Sequence, residues 1–310
     1  MSSESEPIRH RVLRALALDR TPGYHFTGHF LGLSFDRVSV DTARTSLRVG
    51  PHCAEANGSI DCGALAVFAD LSMAANVRAG HDPATRLALA NMTLHLSGAP
   101  MSGRIEASTA LQGYLVDTVS RHAGVTLAIK AEGQQTCFGT GTFMVLNPPQ
   151  GVTLHARQLA REDDPDVAPL EESELSDSER AILQRADEAL AAPEGAAFLR
   201  RFWGIDTERC ADGASGVLRN GAHVANRVGH VQGGVSMGLG MATAESALSE
   251  DWMMSGASAW FIGPCEGQSI EAKSTVIHRG KLLTLLRTQV TGKDHRLATE
   301  LVTTHSRKTA

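Results

Sequence analysis

The chain has 310 residues, 42% of them hydrophobic, with a formal charge of −5 and an isoelectric point near 6.2. That length admits one large or two ordinary domains, and a mean hydropathy of −0.11 suits a chain that buries a core without needing a membrane. The acidic balance argues against a nucleic-acid partner, whose phosphates call for basic surface. Five cysteines without a CxxC pair indicate neither a disulfide framework nor a zinc site.

The opening MSSESEPIRHR lacks an apolar signal core, so a reducing, cytoplasmic setting is expected. A short helix is predicted over Val12–Leu18. The segment from Gly28 to Phe35 is expected to begin the first sheet, and Thr45 to Val49 alternates as a strand. A long helix runs from about Gly63 to Val77. Strands follow at Leu87–Leu96, Ile105–Gln112, Gly124–Ala131 and Gln135–Leu146, rich in β-branched and aromatic residues. One long helix followed by antiparallel strands implies a sheet wrapped around that helix, an α+β unit. Residues 1–147 make this first unit.

Asn147-Pro148-Pro149 ends it, and residues 148–195 read as an acidic, Pro-containing linker with a solvated charge run. Ser176 or Ser178 is placed to cap a linker helix that runs to about Ala192 and stops at Pro193. Residues 196–310 repeat the first plan. Phe202-Trp203-Gly204-Ile205-Asp206 echoes the stretch around Gly32, Ile270-Glu271-Ala272 echoes Ile105-Glu106-Ala107, and two strands flank a Gly-Lys-Asp turn at Gly292.

The repeat is clearest where NGSIDCGALAVFADLSMAA, from Asn57 to Ala75, meets GHVQGGVSMGLGMATAESA, from Gly229 to Ala247. An offset of 171 residues puts His52 on His223, Gly58 on Gly229, Gly63 on Gly234 and Ser72 on Thr243. Each copy is a loop that turns at glycine into an apolar helix, whose first N–H groups suit an anion or a polarised carbonyl oxygen. The copies differ at one telling position. Asp70 lies in the first apolar run where the second has Met241, and a buried carboxylate needs a reason. If the two helices pack antiparallel, Asp70 faces Gly233 and Gly234, and donors and carboxylate converge on one site. The reciprocal site, Cys62 and Gly63 facing Met241, has donors without an acid.

Both copies resemble the hotdog-fold thioesterases of the phenylacetyl-CoA and 4-hydroxybenzoyl-CoA thioesterase type. In that family the helix opens with His-Gly-Gly and carries Asp or Glu nine residues after the His. The first copy reads Asp61-Cys62-Gly63 and reaches Asp70. The second reads Asn226-Arg227-Val228-Gly229-His230-Val231-Gln232-Gly233-Gly234, with Gln232 at the family's His position. The resemblance spans nearly the whole chain outside the linker and implies two tandem hotdog units paired as an intramolecular pseudo-dimer. It implies hydrolysis of an acyl-CoA or acyl-carrier-protein thioester. Asp70 would be general base or nucleophile, the Gly233 N–H would polarise the carbonyl, and Asn226 would orient thioester or water. Gly234, Gln232 and His230 would line the substrate, and Arg279 and Lys281, in a basic-Gly-basic turn, would meet the CoA phosphates.

Each role has a plainer competitor. Asp70 could be a paired structural carboxylate, Gly233-Gly234 a packing device, and Arg279 and Lys281 ordinary hairpin charges. Asp61 reads as a helix-start residue favoured by the dipole. Glu245 shares the face of Met241, as a partial stand-in acid or a paired surface group. Two other functions fit the same fold: an acyl-thioester binding module without turnover, and an enoyl-thioester hydratase or dehydratase suggested by Gly28-His29-Phe30. No HExxH, GxGxxG or Walker pattern calls for a metal, nicotinamide, flavin or other cofactor. The pseudo-dimer is expected as a monomer or as a homodimer of such pairs.

Overall fold

Two helices that are apolar on every side cannot lie on a surface, and the fold is built to cover them. Helix α3 (Cys62–Ala79) is buried at every residue from Cys62 to Val77, and its counterpart α6 (Gly233–Ser246) from Gly234 to Ala244. The computed structural model describes residues 5–23, 25–82, 85–115, 121–147, 150–151, 155–156, 158–161, 164, 167–192 and 197–309. Pro148, Pro149 and Pro193, read as the linker's boundaries, lie outside the described residues, as do Glu162, Asp163, Pro165 and Asp166 of its charge run.

Six strands belong to the first half: β1 (Ser34–Val38), β2 (Thr42–Arg48), β3 (Arg86–Leu96), β4 (Arg104–Tyr114), β5 (Arg121–Ala131) and β6 (Gln134–Leu146). Six more follow: β7 (Ile205–Cys210), β8 (Gly213–Arg219), β9 (Trp252–Phe261), β10 (Ser269–Arg279), β11 (Leu283–Thr291) and β12 (Leu297–Arg307). They form one antiparallel sheet in the order β1-β2-β4-β5-β6-β3-β9-β12-β11-β10-β8-β7. That order is a palindrome, as a twofold relation between the halves requires. The seam is β3 against β9, with Asn91 opposite Trp260, Thr93 opposite Ser258 and His95 opposite Gly256.

Against this sheet α3 and α6 pack antiparallel at backbone contact. A Cβ built on Gly234 would meet Val67 Cα at 2.6 Å, and one on Gly238 would meet Gly63 Cα at 2.5 Å. Under the 171-residue offset these two contacts exchange, since Gly63 maps to Gly234 and Val67 to Gly238. The axis of the pseudo-dimer therefore runs between the two helices.

Sequence and structure part at two entry segments. Both were expected to be strand from Gly28 and from Phe202. Both are short helices instead, α2 (Phe26–Leu31) and α5 (Phe198–Trp203), and the strands begin only at Ser34 and Ile205. The reason lies in the two echoed glycines. Gly32 (φ 75°) and Gly204 (φ 70°) adopt the left-handed conformation that closes a helix, with their N–H groups bonded back to the last turn. The aromatic residues of these helices then meet in the core, Phe30 against Phe202 at 4.9 Å between ring centroids, with the rings tilted by 47°.

The linker helix α4 (Asp177–Ala191) is capped by Ser176, with Glu179 completing a capping box. The acidic residues ahead of it, Glu171, Glu172 and Glu174, are exposed. Glu172 and Asp187 pair with Arg9 of helix α1 (Ser5–Asp19), and Glu179 with Arg20 just beyond it, while Ile182, Leu183, Ala186 and Ala189 are buried.

The helix contact makes a direct prediction. Gly238→Ala places a methyl group against the Gly63 backbone, which cannot yield as a side chain can, and is expected to cost about 1–3 kcal/mol in denaturant unfolding. Gly124→Ala, in open space on β5, is the control and should change stability by less than about 0.5 kcal/mol.

Candidate functional site

The N-terminus of α6 is reached through a loop that Asn226 shapes. Its Oδ1 accepts the N–H groups of Val228 (3.0 Å) and His230 (3.2 Å), and its own N–H bonds to the His230 carbonyl at 2.6 Å. Gln232 then caps the helix: its Oε1 accepts the Val235 N–H at 2.9 Å. With the amide oxygen so fixed, its Nε2 donates to Oδ2 of Asp70. Gly233 is the first residue of α6, so its N–H has no acceptor within the helix. A Cβ on Gly233 would lie 3.5 Å from Asp70 Oδ2, ordinary contact distance. Its missing side chain therefore leaves room beside the carboxylate rather than relieving a clash.

Asp70 is 7% exposed and lies in the wall of a cavity of about 460 Å³ between the halves. Leu71, Leu87, Leu89, Phe143 and Phe261 give the cavity apolar walls. Asn226, His230, Gln232 and Gly233 share it with Asp70, as expected from the sequence. His230 Nε2 also approaches Glu266 Oε2 at 3.6 Å. Gly234 is not in the wall, because it is spent on the contact with Val67. Arg279 and Lys281 are not there either. They sit in the β10–β11 hairpin, exposed, and the cationic groups lining the cavity are Arg78, Arg86 and Arg227. Those three were missed. Arg78 lies eight residues after Asp70, close to the same helical face, which was a usable signal; Arg227 stood inside the quoted loop motif.

His25 was missed as well. It caps α2 by accepting the Gly28 N–H at Nδ1, lies 5% exposed, and lines the cavity. His29, of the hydratase-like Gly28-His29-Phe30, is buried in α2 and does not line it. Among the described residues no group of three or more His, Cys, Asp or Glu side chains is placed to hold a metal ion.

The reciprocal position is filled. Asp61 caps α3 by accepting the Gly63 and Ala64 N–H groups. Its other oxygen takes Arg200 Nε at 2.8 Å, and Arg200 Nη2 reaches Glu55 (2.7 Å) and Glu245 (2.9 Å). Glu245 is thus the paired group rather than a stand-in acid. By the 171-residue offset Glu55 replaces Asn226, Asp61 replaces Gln232, and Cys62 replaces Gly233. Burial holds the Cys62 thiol well above its ordinary range, so it is no nucleophile. Trp203 closes over Gly63, 2.7 Å from where its Cβ would be.

No family model matches the chain, and no curated protein does. Solved structures do. A protein of Lactobacillus plantarum, provisionally an oleoyl thioesterase, aligns over 87% of this chain and 97% of its own at 9% identity, with a TM-score of 0.56. The tesB protein of Mycobacterium avium subspecies paratuberculosis and a hotdog-fold protein of unknown function from Alicyclobacillus acidocaldarius each align over 90% and 97%, at 10% identity and a TM-score of 0.54. At such identities the likeness establishes the fold, and the fold is the hotdog fold in tandem.

Two predictions concern the filled position. Arg200→Met strands three carboxylates and is expected to destabilise the protein by about 3–5 kcal/mol in denaturant unfolding. Burial, with Glu245 nearby, raises the Glu55 pKa to about 7, so its ionisation opposes folding as pH climbs from about 4.5 through 7. Glu55→Gln removes that penalty. Its melting temperature relative to wild type should rise between pH 5 and pH 8, by about 2 °C or more.

Proposed function

We propose that the protein hydrolyses an acyl thioester at Asp70, with acyl-CoA or an acyl-carrier-protein thioester as substrate. One observation carries this reading: a buried carboxylate on α3 is held by the cap residue of α6, beside that helix's first N–H, in the wall of a mostly apolar cavity. Thioester hydrolysis needs a donor for the oxygen that gains charge and a base for water, and the pseudo-twofold supplies one from each half.

In this scheme the thioester carbonyl oxygen lies at the Gly233 N–H. Asp70 takes a proton from water as the water oxygen bonds to the carbonyl carbon. Collapse of the adduct breaks the carbon–sulfur bond, and the departing thiolate takes a proton back from Asp70. Direct attack by Asp70, forming an anhydride that water then opens, uses the same groups. Gln232 holds the carboxylate in place through Oδ2. Asn226 acts through the loop, because its Oδ1 is committed to the Val228 and His230 amides. The name borne by the Lactobacillus protein supports a thioesterase over the hydratase reading, as does the place of His29 outside the cavity wall.

Thiol release from short, aromatic and long acyl-CoAs tests it. Asp70→Asn keeps the shape and the bond from Gln232, and should lower the rate at least about a hundredfold. Equal rates in both proteins would refute the assignment. Acyl-thioester binding with no thiol release from wild type would favour a binding module.

A further inference from the structure

The cavity's charge does not match a simple fatty acyl chain. Its lining residues include three arginines, Arg78, Arg86 and Arg227, and one carboxylate residue, Asp70. Arg78 donates to the Thr85 carbonyl at 3.4 Å, but Arg227 differs from every other arginine lining the cavity. Both its Nη atoms are closed off from solvent, and neither has a hydrogen-bond partner. Burial accordingly lowers its pKa from the ordinary arginine value. A guanidinium keeps its charge in proteins, so a buried one without a counter-ion carries a cost that persists unless an anion arrives. The fold does not demand this arginine. At the equivalent position of the first unit stands Ala56, exposed in a loop of the same shape, with Ala54–Ile60 bridged as Ala225–Val231 are.

Its place says which anion. Arg227 lies between Asn226 and Val228 in the loop that leads to Gln232, whose amide touches Asp70, and it lines the same cavity as that carboxylate. The phosphates of CoA are held away from the thioester by the whole pantetheine arm. The group that meets Arg227 beside Asp70 therefore belongs to the acyl side. A planar guanidinium matches a carboxylate with two parallel hydrogen bonds. It also offsets the repulsion that Asp70 exerts on an acidic chain.

Resting on the thioesterase reading, we infer that the acyl group is itself acidic: the cavity takes thioesters of dicarboxylic acids, whose free carboxylate pairs with Arg227. Since the Nη atoms are shut in, docking turns the guanidinium from its packed position into the cavity.

The test compares hexanoyl-CoA with adipoyl-CoA, which share chain length and every CoA phosphate and differ by one carboxylate. Binding is read by calorimetry on Asp70→Asn protein. The adipoyl thioester should bind at least about tenfold tighter, and adding Arg227→Met should reduce that advantage below about threefold. Melting temperature should not fall in Arg227→Met, because the substitution removes an unpaired buried charge. Equal affinities for the two thioesters would overturn the inference, without recourse to the variant. So would an advantage that survives Arg227→Met, or a loss shared equally by both ligands, which would assign Arg227 to the CoA moiety. Thiol release by wild type is read separately. If neither thioester is cleaved yet the affinity difference holds, the hydrolase reading fails and the acidic-ligand assignment stands.

Discussion

Everything in this molecule depends on how closely two helices can lie. At Gly234 against Val67, and at Gly238 against Gly63, the backbones of α3 and α6 approach to distances that no side chain would permit. Only at that spacing does the carboxylate of one helix reach the cap of the other. The helices are apolar on all sides, so burial between sheet and partner is their stable setting. The continuous sheet fixes their relation through the β3–β9 seam. Packing thus precedes chemistry: the glycines that close the interface also decide which residues can meet across it.

A twofold contact between identical units would give two identical sites. Here the halves are joined in one chain, and the positions that a symmetric pair must keep equal have diverged. On one side Asp70, Gln232, Gly233 and Asn226 surround a cavity. On the other Met241, Asp61, Cys62 and Glu55 occupy the same places, and Arg200 ties three carboxylates together. Those are opposite solutions to the burial of charge. The ion cluster turns its polar groups on one another, three carboxylates about one guanidinium. Along the cavity, by contrast, the Nη atoms of Arg227 have no hydrogen-bond partner.

How much of this was legible in the sequence follows from range. The duplication, the strands after each helix and the Ser176 cap are local patterns, and each reappears in the structure. Asp70 stood out because an apolar run made it an exception. The two entry helices were misread as strand because apolar aromatic residues suit either state over five or six positions, and the left-handed glycines that decided the matter are visible only as backbone angles. The roles of Arg200 and Arg227 were not legible. Arg200 lies 139 residues from Asp61, and no periodicity links them. Arg279 and Lys281 were chosen by a local turn pattern, while the cavity took its cations from α3, β3 and the loop before α6.

The fused architecture also explains why an uncompensated charge can persist. In a symmetric dimer any costly group appears twice and weakens the assembly twice. In this chain Arg227 occurs once, while the opposite side of the same axis is closed by the Arg200 cluster and by Trp203. The ion cluster and the cavity thereby lie on opposite sides of one interface. The cluster links Asp61 at the start of α3 to Glu245 near the end of α6 on one side, and the cavity lined by Asp70, Gly233 and Arg227 lies on the other. Duplication supplied the symmetry that positions these groups, and divergence of the side chains makes the two sides of the axis unlike.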